Sequence, residues 1–162
     1  MGEVSQRELV KIVLRDPLHW LAFGFGLGLA PIAPGTFGSL LGIVAWLLIP
    51  ANLFIQLGAA LAIFLAGIWI CGASARRLGV HDHGGIVWDE IAGMYLTLLV
   101  IKPEPAWILA AFALFRLFDI WKPWPIRDLD HSLHNGLGIM LDDVIAALYA
   151  AGILVLIQRI IV

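Results

Sequence analysis

Long apolar runs separated by short polar breaks make up most of the chain after residue 20. Their length and continuity predict helices that cross a membrane. The run at 53–71 holds nineteen residues without a charge and would extend about 29 Å, close to a hydrocarbon core of about 30 Å. The runs at 91–101 and 106–118 would extend only about 17 to 20 Å, so they need flanking residues or a thinner bilayer in order to span the membrane. The apolar runs lie at 36–49, 53–71, 91–101, 106–118 and 144–162.

Composition strengthens the membrane interpretation. Hydrophobic residues make up 61% of the chain and charged residues 14%, and the mean hydropathy is +0.95, which exceeds what a soluble domain of 162 residues usually shows. We therefore predict an all-α fold, a compact bundle of transmembrane helices in one domain over 1–162. The Pro-, Gly- and charge-rich segment 120–141 predicts a loop. A soluble, unusually apolar helical bundle is the alternative.

The N-terminal part differs from the apolar runs. Residues 1–19 are polar and include Arg7, Lys11 and Arg15, so we expect a cytoplasmic segment and not a signal peptide. Residues 20–34 are apolar but rich in glycine and proline, which argues against one straight span. We predict a re-entrant or interfacial hairpin, because irregular backbone is tolerated at that depth where protein or a polar cavity covers it.

Acidic residues stand where the apolar runs begin or end. Asp89 and Glu90 open one run, and Asp119 closes the next. A proline-rich turn between the two runs reverses the chain, so Asp119 is expected beside Asp89. After a polar loop on the same side, Asp142 and Asp143 open the last run. This alternation of direction places all five carboxylates on one face. The four at run starts could instead cap backbone donors, whereas a carboxylate at a helix end needs a cationic partner.

Carboxylates gathered on one face need a counter-charge. Two of them about 5 Å apart repel by roughly 3 kcal/mol at an effective dielectric near 20. Arginine or lysine could supply the charge, but hard oxygen ligands in threes or fours suit Mg²⁺, which often keeps water positions open for a phosphate. Histidine and thiolate pairs at zinc spacing are absent. The segment His81-Asp82-His83 is weak evidence for a softer metal, since exposed loop histidines are common.

Groups that bind anions are interleaved with these carboxylates. Arg116, Lys122 and Arg127 supply positive charge, and Thr36 and Ser39 lie in a glycine-rich segment that opens a helix. Backbone donors and hydroxyls at a helix start form an anion site. The alternatives are that the glycines allow close helix packing and that the cations only mark the membrane interface. Metal carboxylates beside phosphate-binding cations indicate phosphoryl chemistry on a lipid headgroup.

Cationic residues also orient the predicted bundle. Five lie on the acidic face and two at the opposite end, so the positive-inside bias makes the acidic face cytoplasmic. Tryptophans near both ends are typical of aromatic belts, although each could fill core space instead. The five cations are Arg76, Arg77, Arg116, Lys122 and Arg127, and the two are Lys102 and Arg159.

Six blocks of sequence carry a resemblance to a known family. They cover 33–36, 80–84, 86–90, 115–116, 119–127 and 138–143, within a match from about residue 20 to residue 152. In these blocks the chain strongly resembles phosphatidylglycerophosphatase A, a bacterial lipid phosphatase. The resemblance implies a Mg²⁺-dependent, membrane-bound, all-helical hydrolase of the inner membrane, with several spans and cytoplasmic chemistry. Its phospholipid substrate would be phosphatidylglycerophosphate, and its products phosphatidylglycerol and phosphate.

The residues and the resemblance together give a set of expected roles. Four carboxylates are the expected metal ligands, with Asp142 or Asp82 completing the shell. Lys122 and Arg127 are expected to hold the phosphate, with Arg116, Thr36 and Ser39 beside it. One of three histidines, or metal-bound water, would protonate the leaving glycerol oxygen, and attack by water or by a carboxylate stays open. The four ligands are Asp89, Glu90, Asp119 and Asp143, and the histidines are His81, His83 and His134.

Other functions compete with this interpretation. Cys71 and Arg77 fit the cysteine-x5-arginine pattern of cysteine phosphatases, but that chemistry needs a phosphate-cradling loop and Cys71 ends an apolar run. An ion or proton transporter would place carboxylates near mid-membrane and often has duplicated halves. A protein that only binds anionic lipid would not need paired carboxylates. No nucleic-acid partner is expected, and an oligomer is possible.

Overall fold

A computed structural model describes residues 6–80, 83–126 and 135–161 of the chain. These residues contain seven α-helices and no β-strand, which confirms the predicted all-α bundle. The helices are α1 Gln6–Arg15, α2 Pro17–Ala22, α3 Pro34–Leu48, α4 Leu53–Leu78, α5 Trp88–Leu98, α6 Pro105–Trp121 and α7 Gly136–Ile161.

Local sequence signals set several helix ends. The Asn52 side chain caps α4 by accepting from the N–H groups of Phe54 and Ile55 at 3.0 and 3.3 Å. The same helix stops at Gly79, which adopts the left-handed conformation (φ 70°) that glycine takes without a steric penalty. Three helices, α2, α3 and α6, begin with a proline, whose missing N–H would be unpaired there in any case.

Helix α5 lies at the centre of the bundle. It is packed against α3, α4, α6 and α7, and the side chains of Met94, Tyr95 and Leu98 are fully buried. Inside the core, the Tyr95 hydroxyl donates to Gln56 Oε1 at 2.5 Å, which satisfies two polar groups at once. The 11 residues of α5 extend only about 16 Å, but the longer helices around it shield it from the surroundings.

Apolar side chains also cover the outside of the bundle. Helices α4 and α7 have 26 residues each and are long and apolar enough to cross a membrane by length and composition. Their outward side chains include Phe54, which is 83% exposed, and Leu148, which is 65% exposed. Such exposed apolar surface is unusual in a soluble monomer. The structure therefore suggests membrane association.

Several predicted helix boundaries were wrong. Helix α4 continues past residue 71 to Leu78, and α7 begins at Gly136, inside the predicted loop 120–141. Asp142 and Asp143 consequently lie within α7 and do not cap its start. The missed start signal was Asn135, whose Oδ1 accepts from the Gly138 N–H at 3.0 Å, as expected of a helix N-cap.

The glycine- and proline-rich segment after α2 is irregular, as predicted. Residues 24–26 turn through left-handed conformations, and a short 3-10 helix follows at Leu27–Leu29. The segment packs on the loop before α5, because a Cβ on Gly28 would overlap the Gly85 carbonyl oxygen. The Val87 N–H also donates to the Ala22 carbonyl at 2.9 Å. Whether this segment re-enters a bilayer stays a prediction.

Helix α7 depends on a close approach to α4 at its first residue. A Cβ on Gly136 would overlap the Ile68 carbonyl oxygen and lie 2.9 Å from Gly72 Cα. We expect Gly136→Ala to destabilise the protein by about 1 to 3 kcal/mol, since backbone atoms must shift to admit the methyl group. Thermal unfolding in detergent measures the loss.

The matched control for this substitution lies in the same helix. A Cβ on Gly152 meets nothing within 4 Å, so Gly152→Ala should leave stability unchanged or raise it by up to about 1 kcal/mol. Equal unfolding temperatures for the two alanine variants would contradict the close α4–α7 approach.

Candidate active site

Three carboxylates from two helices converge inside the bundle. Asp89 and Glu90 occupy the first turn of α5, and Asp143 lies in α7. One oxygen from each lies within 4.8 Å of the others, and Asp89 and Asp143 are 7% and 3% exposed. The sequence prediction that these three meet in space is confirmed, although their role as metal ligands stays a prediction.

Close contact between α5 and α7 brings the carboxylates together. A Cβ on Gly93 would lie 3.0 Å from the Asp143 carbonyl oxygen and 2.7 Å from the Phe115 ring. Gly93 is one turn after Asp89 and Glu90, so the absence of a side chain there lets the α7 backbone approach the acidic end of α5. The small size of Gly93 therefore allows Asp143 to lie close to Asp89 and Glu90.

Helix α6 adds a cation and a fourth carboxylate. Arg116 Nη1 forms an ion pair with Asp119 Oδ2, three residues further along the same helix, and lies 3.9 Å from Glu90 Oε1. The expected partner of Asp119 is therefore present, and the guanidinium offsets part of the negative charge.

The start of α3 closes another side of this cluster. A Cβ on Gly35 would overlap Glu90 Oε1 and lie 2.8 Å from Arg116 Nη1. The glycine-rich segment therefore does serve close helix packing. Ser39 is fully buried and its Oγ donates to the Gly35 carbonyl at 2.9 Å, so its proton is already used within α3, whereas Thr36 is partly exposed. Phosphate binding by either hydroxyl stays a prediction.

Lys122 and Asp142 contact each other at the edge of the cluster. The Lys122 Nζ donates to Asp142 Oδ2 at 2.7 Å, and Asp142 is 5% exposed. Asp142 does not belong to the three-carboxylate group that the described residues form. The predicted roles of the two, as phosphate and metal ligands, are untested, and the structure adds a pairing between them that the sequence analysis did not anticipate.

Comparison with known proteins identifies the family. The family model described as phosphatidylglycerophosphatase A matches residues 20–158. The chain belongs to the phosphatidylglycerophosphatase A family. It is 47% identical over 148 residues to an Escherichia coli (strain K12) protein of that name, covering 89% of this chain and 85% of the relative. It is 50% identical over 155 residues to a Haemophilus influenzae protein of the same name, covering 93% and 94%. No solved structure matches.

The remaining predicted site residues of this phosphatidylglycerophosphatase A family member divide into two groups. His83 Nδ1 accepts from the Gly85 N–H at 3.0 Å, so the neutral ring carries its proton on Nε2. It lines a cavity of about 260 Å³ together with Pro34, which precedes Gly35. The other group lies outside the residues that the structure describes and consists of His81, Asp82, Arg127 and His134.

The cysteine-x5-arginine pattern does not form a phosphate loop. Cys71 is fully buried inside α4, and its Sγ lies 3.8 Å from Met140 Sδ. A helical interior offers no cradle of backbone donors, because those N–H groups are used by the helix itself. The structure thus removes the cysteine phosphatase alternative.

One polar network near the N-terminus escaped the sequence analysis. His19 is 3% exposed and its Nδ1 lies 2.8 Å from Ser74 Oγ, while Asp16 forms an ion pair with Arg77 at 2.5 Å. The available signal was Asp16 before Pro17, a typical helix start. This network joins the first two helices to the end of α4.

The Lys122–Asp142 pair can be tested by a mutational cycle. Lys122→Met leaves the buried Asp142 carboxylate without its lysine and should cost on the order of 3 kcal/mol of stability. The double variant Lys122→Met with Asp142→Leu should recover most of that loss, because both charges are then gone. Thermal unfolding in detergent measures both effects.

An exposed cation supplies the control. Lys102→Met, on the opposite side of the bundle, should leave the unfolding temperature unchanged. A double variant as unstable as Lys122→Met alone would mean that the two side chains do not neutralise each other. Phosphate release by the restored double variant examines the predicted site roles of Lys122 and Asp142 together, separately from folding.

Proposed function

We propose that this chain is a Mg²⁺-dependent lipid phosphatase that hydrolyses the terminal phosphomonoester of phosphatidylglycerophosphate. The products would be phosphatidylglycerol and inorganic phosphate. The observation that carries the proposal is the convergence of Asp89, Glu90 and Asp143, beside Arg116, within one interior cluster. The names of the Escherichia coli and Haemophilus influenzae relatives support the substrate. They give no support to a transporter.

The donor set fits magnesium. Glu90 Oε2 and Asp143 Oδ2 are buried side-chain atoms without a hydrogen-bond partner among the described residues, which is costly unless a ligand satisfies them. All donors in the group are carboxylate oxygens, the ligand type that Mg²⁺ prefers over softer metals. Asp89, Glu90 and Asp143 would hold the ion, with Asp119 beside them.

When bound, Mg²⁺ would supply positive charge to the phosphoryl oxygens and to the water that attacks phosphorus. Arg116 would add a second positive group on the α6 side, and Asp119 would keep its guanidinium in place. The first turn of α3 would exclude bulk water there, because Gly35 packs against Glu90 and Arg116. Positioning and electrostatics would supply most of the rate, as in other phosphoryl transfers.

Hydrolysis needs two proton movements. Water forms the new P–O bond and loses a proton, while the bond to the glycerol oxygen breaks and that oxygen gains one. One of His81, His83 and His134, or a water molecule, would supply the second proton. A neutral imidazole does not give up its remaining N–H proton, so His83 would have to act as imidazolium, and its Nδ1 would then no longer accept from the Gly85 N–H.

We also propose that the chain is a multi-pass protein of the bacterial inner membrane with this site at the cytoplasmic face. Exposed Arg76 and Arg77 lie in the last turn of α4, whereas exposed Lys102 precedes α6 and exposed Arg159 lies in the last turn of α7. A cytoplasmic site suits the positive-inside bias. The substrate's acyl chains would stay in the bilayer while its phosphomonoester reaches the carboxylates.

Phosphate release from phosphatidylglycerophosphate in detergent micelles tests the proposal. Asp89→Asn, Glu90→Gln and Asp143→Asn should each lower the rate at least about a hundredfold, since each removes charge from the proposed magnesium ligands. Chelation of divalent cations should abolish release by the parent chain, and added Mg²⁺ should restore it.

Cys71→Ala serves as the control and should keep nearly full activity. Two or more carboxylate variants with unchanged rates would overturn the ligand assignment. Full activity after chelation would overturn the magnesium requirement. No phosphate release by the parent chain under any condition would overturn the function itself.

A further inference from the structure

Helix α1 presents a basic stripe that the proposed reaction does not use. Arg7, Lys11 and Arg15 recur at every fourth position and are all exposed, so they lie along one side of the helix. Leu9 and Val13 on the other side are buried in the core. Within the described part of the chain, none of the three cations has an ion-pair partner.

The position of this stripe is fixed by the rest of the protein. Asp16, directly after α1, accepts from the Leu18 N–H at 2.9 Å and from Arg77 Nη1 at 2.5 Å. Partial burial alone would raise the pKa of Asp16, but these two donors lower it below its ordinary value. The ion pair therefore persists at neutral pH and holds α1 at the end of α4, where Arg76 and Arg77 lie.

Exposed apolar side chains adjoin the stripe. Leu14 of α1 is 62% exposed, and the segment that follows α2 presents Phe25, Leu27 and Ile32, with Ile32 79% exposed. Trp20 stacks edge-on against Phe25 and is also exposed. Basic residues next to exposed aromatic and aliphatic groups are typical of a helix that lies in the plane of a membrane surface.

The opposite side of α1 borders a cavity close to the candidate active site. Gln6 and Leu9 of α1 line the same cavity of about 260 Å³ as His83 and Pro34. The next residue, Gly35, packs against Glu90 and Arg116. A lipid headgroup bound along α1 would therefore lie near a cavity whose lining residue Pro34 directly precedes Gly35, which packs against the cluster.

We propose that α1 is an in-plane membrane helix whose Arg7–Lys11–Arg15 stripe binds the headgroups of anionic phospholipids. The partner is an anionic lipid surface, because three cations on one helix side complement phosphate groups and the adjoining apolar side chains favour the interface. The stripe thereby raises the local concentration of the anionic substrate beside the site. This last step rests on the proposed function, whereas lipid binding does not.

Lipid enrichment around the full chain tests the binding surface directly. A fluorescent donor is attached to the cysteine of the Leu14→Cys variant. The dye labels α1 selectively, because the native Cys71 is buried. The protein is reconstituted in phosphatidylcholine nanodiscs with tracer amounts of headgroup-labelled phosphatidylserine or labelled phosphatidylcholine as acceptor. Phosphatidylserine is anionic but is neither the proposed substrate nor the proposed product. We expect energy transfer to show about fivefold enrichment of the anionic lipid per engaged cation.

Charge removal and salt decide the outcome. In the triple variant, which combines Arg7→Gln, Lys11→Gln and Arg15→Gln, the ratio of anionic to neutral lipid should fall to about one. Salt near 1 M should have the same effect, since the screening length is then about 3 Å. The control Lys102→Gln with Arg159→Gln removes exposed cations from the other end and should keep the enrichment. Enrichment that survives the triple substitution, or that does not respond to salt, would overturn the proposal.

Kinetics in the same nanodiscs separate this inference from the proposed function. The triple variant should raise KM for phosphatidylglycerophosphate several-fold with kcat unchanged, because α1 contributes no group to the reacting centre. An unchanged KM with lost enrichment would refute the supply of substrate. Absent phosphate release with intact enrichment would refute the proposed function and leave the lipid surface established.

Discussion

Repulsion between buried carboxylates is the constraint on which the rest of the structure depends. Asp89, Glu90 and Asp143 place oxygens within 4.8 Å of one another in an otherwise apolar bundle. At such distances each pair of like charges costs roughly 3 kcal/mol at an effective dielectric near 20. Arg116 offsets part of this charge, because its guanidinium pairs with the carboxylates of Asp119 and Glu90. A bound cation would offset the negative potential that remains.

Small residues determine how near the charged groups come. Gly93 admits the α7 backbone beside α5, Gly35 seats the start of α3 on Glu90, and Gly136 lets α7 begin against α4. Each close approach joins helices that are distant in sequence. Apolar side chains outside and packed glycines inside therefore combine a lipid-compatible surface with a polar interior. The proposed substrate has the same two-part character, with acyl chains and a charged phosphate.

The sequence predicted the helical fold and the meeting of the acidic residues, because run length and chain direction are set locally. It misplaced the start of α7, since the last run was taken to begin after Asp142 and Asp143, whereas residues 136–141 are also apolar and the helix begins at its Asn135 cap. The Lys122–Asp142 and Asp16–Arg77 pairs were not predicted, because partners far apart in sequence leave no spacing pattern. Core position was also hidden: α5 is no more apolar than the helices packed against it, and only packing shows that it is central.

Manganese can replace magnesium as a probe in oxygen-rich sites, and its anomalous scattering locates it. Crystals of the full chain grown with Mn²⁺ should show one anomalous peak or more in contact with carboxylate oxygens of Asp89, Glu90 and Asp143. Glu90→Gln crystals should lose or weaken that peak. Manganese bound only elsewhere, with these three carboxylates paired to protein groups instead, would contradict a shared cation site and with it the central claim.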